Sequence, residues 1–443
     1  MRTARRAAGL RLPRHRATTA HLCATYPFQA EVGLGARGAY LGTNHLSGGG
    51  SFVFDPFEFY TQKRLTNTNM VVLGEPGWGK SAAVKCFLHR TVGVLASPGG
   101  GPRWVAIADP KGEYQPLASA LGLNVVRLHP GGTTRINPLD PGPAASRVGP
   151  VEVALRRTSM ATALLESVLR RDLVPLEDAA VGWAVEHLSR PDQALQGACE
   201  PTLVDLARLL AEPTSDMAAR AGMSIDELAR RLADARFALG KLLDRQLRGM
   251  FDGRSNVSID WSGRGVVLDL SAVFQDKAAL TLVMIAATAW LQALLATPEG
   301  ESTPRRLQVL DEAWALLSSE RTARYLQSCW KLCRSYGVAN IAVAHRLSDL
   351  RSQADDGTAT AKVAMGLLAD TQTRVVFRQA SDQVEETAQL LGLNSAEAFL
   401  LPRLAIGRSL WKVAGRAAVV QHVIGPAERA LCDTDSRLVL TRR

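Results

Sequence analysis

Lysine is scarce in this chain, with nine among 443 residues against 43 arginines. A lysine at a motif position therefore carries more weight than it would in an ordinary composition. The six cysteines (Cys23, Cys86, Cys199, Cys329, Cys333, Cys432) are scattered, and Cys329-x-x-x-Cys333 has no second ligand pair at zinc-site spacing. That pattern excludes a disulfide-built scaffold and reads as buried thiols in a reducing compartment. There is no repeat of fixed period and no long low-complexity segment, which excludes solenoids and propellers. Long hydrophobic runs are also few. The longest, Leu280 to Thr297, is broken by Thr288 and Gln292 and lies between two core-type strands, so a buried helix is expected there rather than a membrane span. Acidic residues are missing from the amino-terminal stretch: Arg2, Arg5, Arg6, Arg11, Arg14 and Arg16 precede the first one, Glu31. Removing those six from the net charge of +10 leaves +4 for the rest, too little to mark the folded body as a nucleic-acid gripper. The arginine excess and abundant alanine point to a GC-rich, bacterial genome.

What is present begins with "NMVVLGEPGWGKSAAV", Asn69 to Val84. Gly74, Gly79, Lys80 and Ser81 have the spacing Gly-x-x-x-x-Gly-Lys-[Ser/Thr]. Backbone N–H groups of such a loop wrap phosphate oxygens, its lysine reaches the outer phosphates, and its hydroxyl takes Mg²⁺. The nucleotide contacts are expected from Gly74, Glu75, Pro76, Gly77, Trp78, Gly79, Lys80, Ser81 and Ala82. Context supports the pattern, because Met70 to Leu73 is a buried-strand run and Ser81 to His89 can form the helix that points its amino-terminal amides at the anion.

A second half of the site follows in "RLQVLDEAWALL". Leu307 to Leu310 suits a central strand, and Asp311 and Glu312 emerge at its carboxyl end, where ligands bind in open α/β sheets. Asp311 is expected to hold Mg²⁺ beside Ser81, and Glu312 to orient and deprotonate the water that attacks the γ-phosphate. Acids after a strand also suit a helix start irrespective of function; the phosphate loop tips the balance to ATP hydrolysis.

Apolar strands alternating with helices imply a parallel sheet covered on both faces. Strand candidates are Trp104 to Ala108, "NVVRLHPGG", Gly265 to Ser271, Val338 to Ala344 and "TRVVFRQ", with a hairpin over Gly407 to Val413 and Ala417 to Ile424. Residues 151–255 read as an all-helical insert, with Met160, Leu164, Leu165, Val168 and Leu169 on one face and helix starts at Thr202-x-x-Asp205 and Ser224-x-x-Glu227. The organisation expected is a basic, disordered head and linker (1–50), a first part of an ATPase core (51–140), the insert (151–255), a second part (256–426) and a tail (427–443).

In order, "GEPGWGKS", "ADPKGEY", "INPLD", "VVLDLS", "LDEAWALL" and "KLCRSYG" resemble the HerA/FtsK superfamily of ring ATPases, and within it the type IV secretion and conjugation ATPases of the VirB/TraC class. The resemblance spans Ser51 to Pro426. It implies a RecA-like P-loop NTPase that binds ATP and Mg²⁺ and forms a homo-oligomer, a hexamer, without a transmembrane span of its own. Such a motor would be cytoplasmic or peripheral at the inner membrane and would energise the secretion or conjugation machinery, moving DNA or protein. It also implies an arginine acting in trans, with Arg334 the first candidate and Arg374 and Arg378 in reserve, and places Lys111 and Glu113 near the phosphate end of the sheet. Two departures stand out. The family's Thr-Gln after the next strand is Ala344-His345 here, so His345 is expected to replace the glutamine as a donor to phosphate or water, or else to be a solvated strand-end histidine. About fifty residues precede the motor, fewer than the amino-terminal domain of many relatives, so either a shortened family member or a motor that binds a separately encoded partner is expected. A HerA/FtsK-like DNA translocase and a nucleotide-gated assembly factor remain alternatives.

Overall fold

Strands buried at every position can be satisfied only in the middle of a sheet with both faces covered, and three segments meet that description. Met70–Leu73, Arg103–Asp109 and Val338–Ala344 are buried along their whole length. The computed structural model describes residues 34–35, 37–94, 103–142, 149–190, 200–260, 262–295, 305–317, 320–332, 336–345, 366–367 and 371–432. Its strands are β1 (Ala39–Asn44), β2 (Gly50–Phe54), β3 (Met70–Leu73), β4 (Arg103–Asp109), β5 (Asn124–Arg127), β6 (Gly265–Asp269), β7 (Arg305–Leu310), β8 (Val338–Ala344), β9 (Thr373–Val376), β10 (Arg408–Val413) and β11 (Arg416–His422). All join one sheet in the order β2-β1-β11-β10-β9-β3-β8-β7-β4-β6-β5. From β9 to β5 neighbouring strands are parallel; from β9 through β10, β11 and β1 to β2 they are antiparallel. The fold class expected from sequence, a mostly parallel RecA-like α/β sheet with a carboxy-terminal hairpin, is the fold found.

Side-chain alternation along β3 divides the core between the two faces. Val71 and Leu73 pack with the helical region, and Met70 and Val72 with Phe54, Phe87 and Leu88 on the other side. Between β5 and β6 the chain forms the helices Pro150–Leu169, Pro175–Leu188, Leu203–Ala211, Ser215–Ala221, Ile225–Arg231 and Ala233–Lys241. The expected caps are in place: the Asp205 amide donates to Thr202 Oγ1 (3.3 Å) and the Glu227 amide to Ser224 Oγ (3.2 Å). Met160, Leu164 and Leu165 are buried, with Val168 and Leu169 packed beside them. Helix Lys277–Leu295 is long and apolar enough to cross a membrane, but 78% of its window is buried inside the fold, against helix Pro150–Leu169 and β4.

Two boundaries differ from the sequence reading. The sheet already includes Ala39–Asn44, inside the stretch expected to be a disordered head; its partners β2 and β11 are set by pairing with residues up to His422, which local composition does not reveal. Helix Arg429–Cys432, in the expected tail, packs on helix Lys80–Leu88 with Leu431 buried. Residues 1–33 lie outside the described residues.

Behind the sheet, Asp55 caps helix Pro56–Thr61 by accepting from Phe57 N (2.9 Å) and Glu58 N (3.2 Å), and its second oxygen pairs with Arg103 at the start of β4. Both residues are buried, and Arg103 Nε and Nη1 have no other acceptor. Removing one partner of a buried pair leaves an uncompensated charge, so Asp55→Ala should cost about 3–5 kcal/mol in urea unfolding. A loss below about 1 kcal/mol, as for a surface pair, would contradict this account of the junction.

Candidate nucleotide site

The loop after β3 is shaped by a close approach. Phe377 N, just past β9, donates to Leu73 O at 2.7 Å, and a Cβ on Gly74 (φ +152°) would stand 2.5 Å from Phe377 Cβ. Only glycine fits there. Gly79, at φ +97°, turns the chain into helix Lys80–Leu88 and provides no side-chain cap, so the first amides of that helix are free to meet an anion. Lys80 is buried, and its Nζ donates to Glu75 O at 2.7 Å within the loop. Burial, reinforced by repulsion from Lys111, pulls the Lys80 ammonium down to about 8, while Glu312 and Asp311 act in the opposite sense. The guanidinium of Arg378 lies 4.3 Å over the Trp78 ring, and its carbonyl accepts from Glu75 N at 3.0 Å.

Strand order brings the acid pair to this loop. β8 lies between β3 and β7, with Leu73 opposite Ala344 and Leu310 opposite Ala342, so the two carboxyl ends are nearly flush. Asp311 follows Leu310 and donates its amide to Ala108 O at 3.2 Å. Its carboxyl is buried and pushed up to about 7, first by desolvation, then by Glu312 and Asp109. Asp109, at the end of adjacent β4, is raised to about 6 by burial, although it accepts from Tyr114 N (2.8 Å) and Glu113 N (3.1 Å).

Glu312 has a different environment. Its backbone is left-handed (φ +52°), and its amide donates to Asp311 Oδ1 at 3.0 Å. Oε1 receives Lys111 Nζ at 2.5 Å and His345 Nε2 at 2.7 Å, and Oε2 receives the Trp314 indole N–H. Burial alone would raise this carboxyl, but His345 and Lys111 overcome it and hold it at about 2. His345 is thus brought to Glu312, and its Nε2 is also 3.0 Å from Lys111 Nζ.

The other expected residues divide. Arg334 lies outside the described residues. Arg374 donates to Thr371 O (3.1 Å) and to Leu391 O, near the opposite end of β9 from the loop; Arg378 is at the loop of its own chain. Trp314 has no role in the sequence reading, although it sits two residues past Glu312 in the motif. Beside the loop, a cavity of about 520 Å³ runs from Gly79, Ala82 and Ala83 to Gly407, Gln421 and His422.

A magnesium ion in such a site takes one or two protein oxygens and completes its shell with phosphate and water. The donor chemistry fits, with the Ser81 hydroxyl at the head of the loop helix and a buried Asp311 carboxyl whose charged form is disfavoured by desolvation and by Glu312 and Asp109. Among the described residues no group of three or more His, Cys, Asp or Glu forms a dedicated cage.

This architecture is the RecA-like P-loop ATPase fold. Neither a family model nor a curated protein sequence matches the chain. Among solved structures it is similar to VirB4 of Thermoanaerobacter pseudethanolicus, at 21% identity and a TM-score of 0.65 over 90% of this chain and 100% of that chain. It is also similar to the plasmid coupling protein TrwB with the non-hydrolysable ATP analogue ADPNP (18%, TM-score 0.56, 82% of this chain and 87% of that one). A third similarity is to TrwB with ADP and Mg²⁺ (17%, TM-score 0.54, 89% and 97%).

Lys80 yields a pH prediction. A phosphate group favours the charged lysine, so its pKa rises on binding from about 8 in the free loop. Affinity is full below that value and falls as pH rises through it. Titration with Mg²⁺-free ADP between pH 8 and 10 should lose up to about tenfold per pH unit, whereas the weaker binding of Lys80→Ala should stay flat. A flat wild-type profile would contradict this assignment.

Proposed function

We propose that this protein is an ATP-hydrolysing motor that energises conjugative transfer or type IV secretion, working as a homo-oligomeric ring, a hexamer, on the cytoplasmic side of the inner membrane. The observation that carries the reading is the meeting of the Gly74–Ser81 loop with Asp311 and Glu312 across the single strand β8. The similarity to VirB4 and TrwB, over most of each chain, supports the choice of class.

In this reading the loop amides and Lys80 hold the β- and γ-phosphates, and the cavity beside Ala82 and Ala83 takes the base and ribose. Ser81 and Asp311 would hold Mg²⁺, which when bound neutralises charge on the phosphate oxygens. Glu312 orients the attacking water and accepts its proton. Clamped by Lys111, His345 and Trp314, it is ionised but weakly basic; turning Lys111 from Oε1 towards the γ-phosphate frees a lone pair and raises its basicity. His345 then keeps the carboxylate in place. An arginine of the adjacent subunit, Arg334 in the first instance, meets the charge that develops in the transition state.

The test is ATP turnover of wild type, Lys80→Ala and Glu312→Gln. Both variants should lose at least about a hundredfold, with ATP binding kept in Glu312→Gln; equal rates in all three would remove the motor. Mixing Arg334→Ala with Glu312→Gln subunits should restore part of the activity if the arginine acts in trans. Stimulation by DNA that collapses with salt would favour a translocase, and ATP-dependent assembly without appreciable turnover a nucleotide-gated assembly factor.

A further inference from the structure

Cys86 and Cys432 are 346 positions apart in sequence, yet their Sγ atoms are 3.5 Å apart. Cys86 is buried on the loop helix Lys80–Leu88, five residues past Ser81; Cys432 is half-buried at the end of helix Arg429–Cys432. Both thiols line the cavity of about 520 Å³ that begins at Gly79, Ala82 and Ala83, so a small solute that reaches the loop also reaches the pair. Their surroundings are unequal. The hydrogen bond with Cys86 and the positive charges of Lys85 and Arg90 draw the Cys432 thiol below its usual range; that same bond, with burial, pushes Cys86 up. Lys85 is fully buried and its Nζ has no hydrogen-bond acceptor, its nearest carboxylate being Glu113 at 3.9 Å.

We propose that Cys86 and Cys432 form a peroxide-sensitive dithiol whose oxidation joins the carboxy-terminal helix to the helix of the phosphate loop. Cys432, the more exposed thiol with cations beside it, is the attacking group. Its thiolate displaces hydroxide from hydrogen peroxide to give Cys432–SOH. The Cys86 sulfur then displaces water from that sulfenic acid, forming the Cys86–Cys432 bond. Two electrons pass from the thiols to one peroxide, and two waters leave once the Cys432 proton is counted. Closing 3.5 Å to a bond of about 2.05 Å asks for side-chain rotation and a small shift of a four-residue helix. The cross-link would tie the chain's last described helix to the element that carries Lys80 and Ser81, and it does not depend on the hydrolytic reading.

The experiment exposes the reduced full-length protein to a few equivalents of hydrogen peroxide, denatures it in N-ethylmaleimide and maps the peptides without reductant. The expected product is a Cys86–Cys432 linked peptide that dithiothreitol dissolves, accompanied by a melting temperature several degrees above that of the reduced protein. In Cys86→Ser, Cys432 should stop at a sulfenic acid that dimedone captures; in Cys432→Ser, Cys86 should stay labelled by maleimide; neither variant should show the thermal shift. The wild-type map needs no variant to fold. Both thiols remaining free, Cys432 running on to a sulfinic acid with Cys86 unlinked, or either thiol pairing with another cysteine would each overturn the proposal.

Discussion

The arrangement depends on parallel pairing of β8 with β3 on one side and β7 on the other. These strands are apolar enough to be driven to the sheet centre, where both faces are covered. Once the register Leu73–Ala344 and Leu310–Ala342 is set, the residues after each strand must emerge together at one edge. Gly74, Asp311 and His345 come from three distant parts of the chain and meet because of that register. The close contact of Gly74 with Phe377 extends the same edge to β9.

That edge concentrates charge where water is largely excluded, and the shifts share one logic. Burial disfavours the charged form of Lys80, Asp311 and Asp109, so the ammonium is drawn down and the two carboxyls are pushed up. Glu312 departs from the trend because His345 and Lys111 reach its carboxylate and outweigh its burial. A magnesium–phosphate group would supply an anion for Lys80 and a cation for Asp311.

Much of this was legible in the sequence because the signals are local. The glycine spacing of the loop, the apolar runs of β3, β7 and β8, the Asp311–Glu312 pair and the caps at Thr202 and Ser224 each lie within a few residues. Long-range contacts were not legible. β1 is short and unremarkable until β11 pairs with it, the clamp on Glu312 draws on residues up to 234 positions apart, and no spacing rule places Cys432 beside Cys86. Trp314 stood inside a recognised motif, yet its hydrogen bond follows from the turn after β7 rather than from any pattern in the letters.

The central claim is that the head of the loop helix, carrying Ser81, and the end of β7, carrying Asp311, act on a single hydrated magnesium. Calorimetric titration of ADP with and without Mg²⁺, in wild type, Ser81→Ala and Asp311→Asn, tests it most directly. The account predicts that Mg²⁺ tightens ADP binding in the wild type and that either substitution largely abolishes the gain. An undiminished magnesium effect in Asp311→Asn would contradict it.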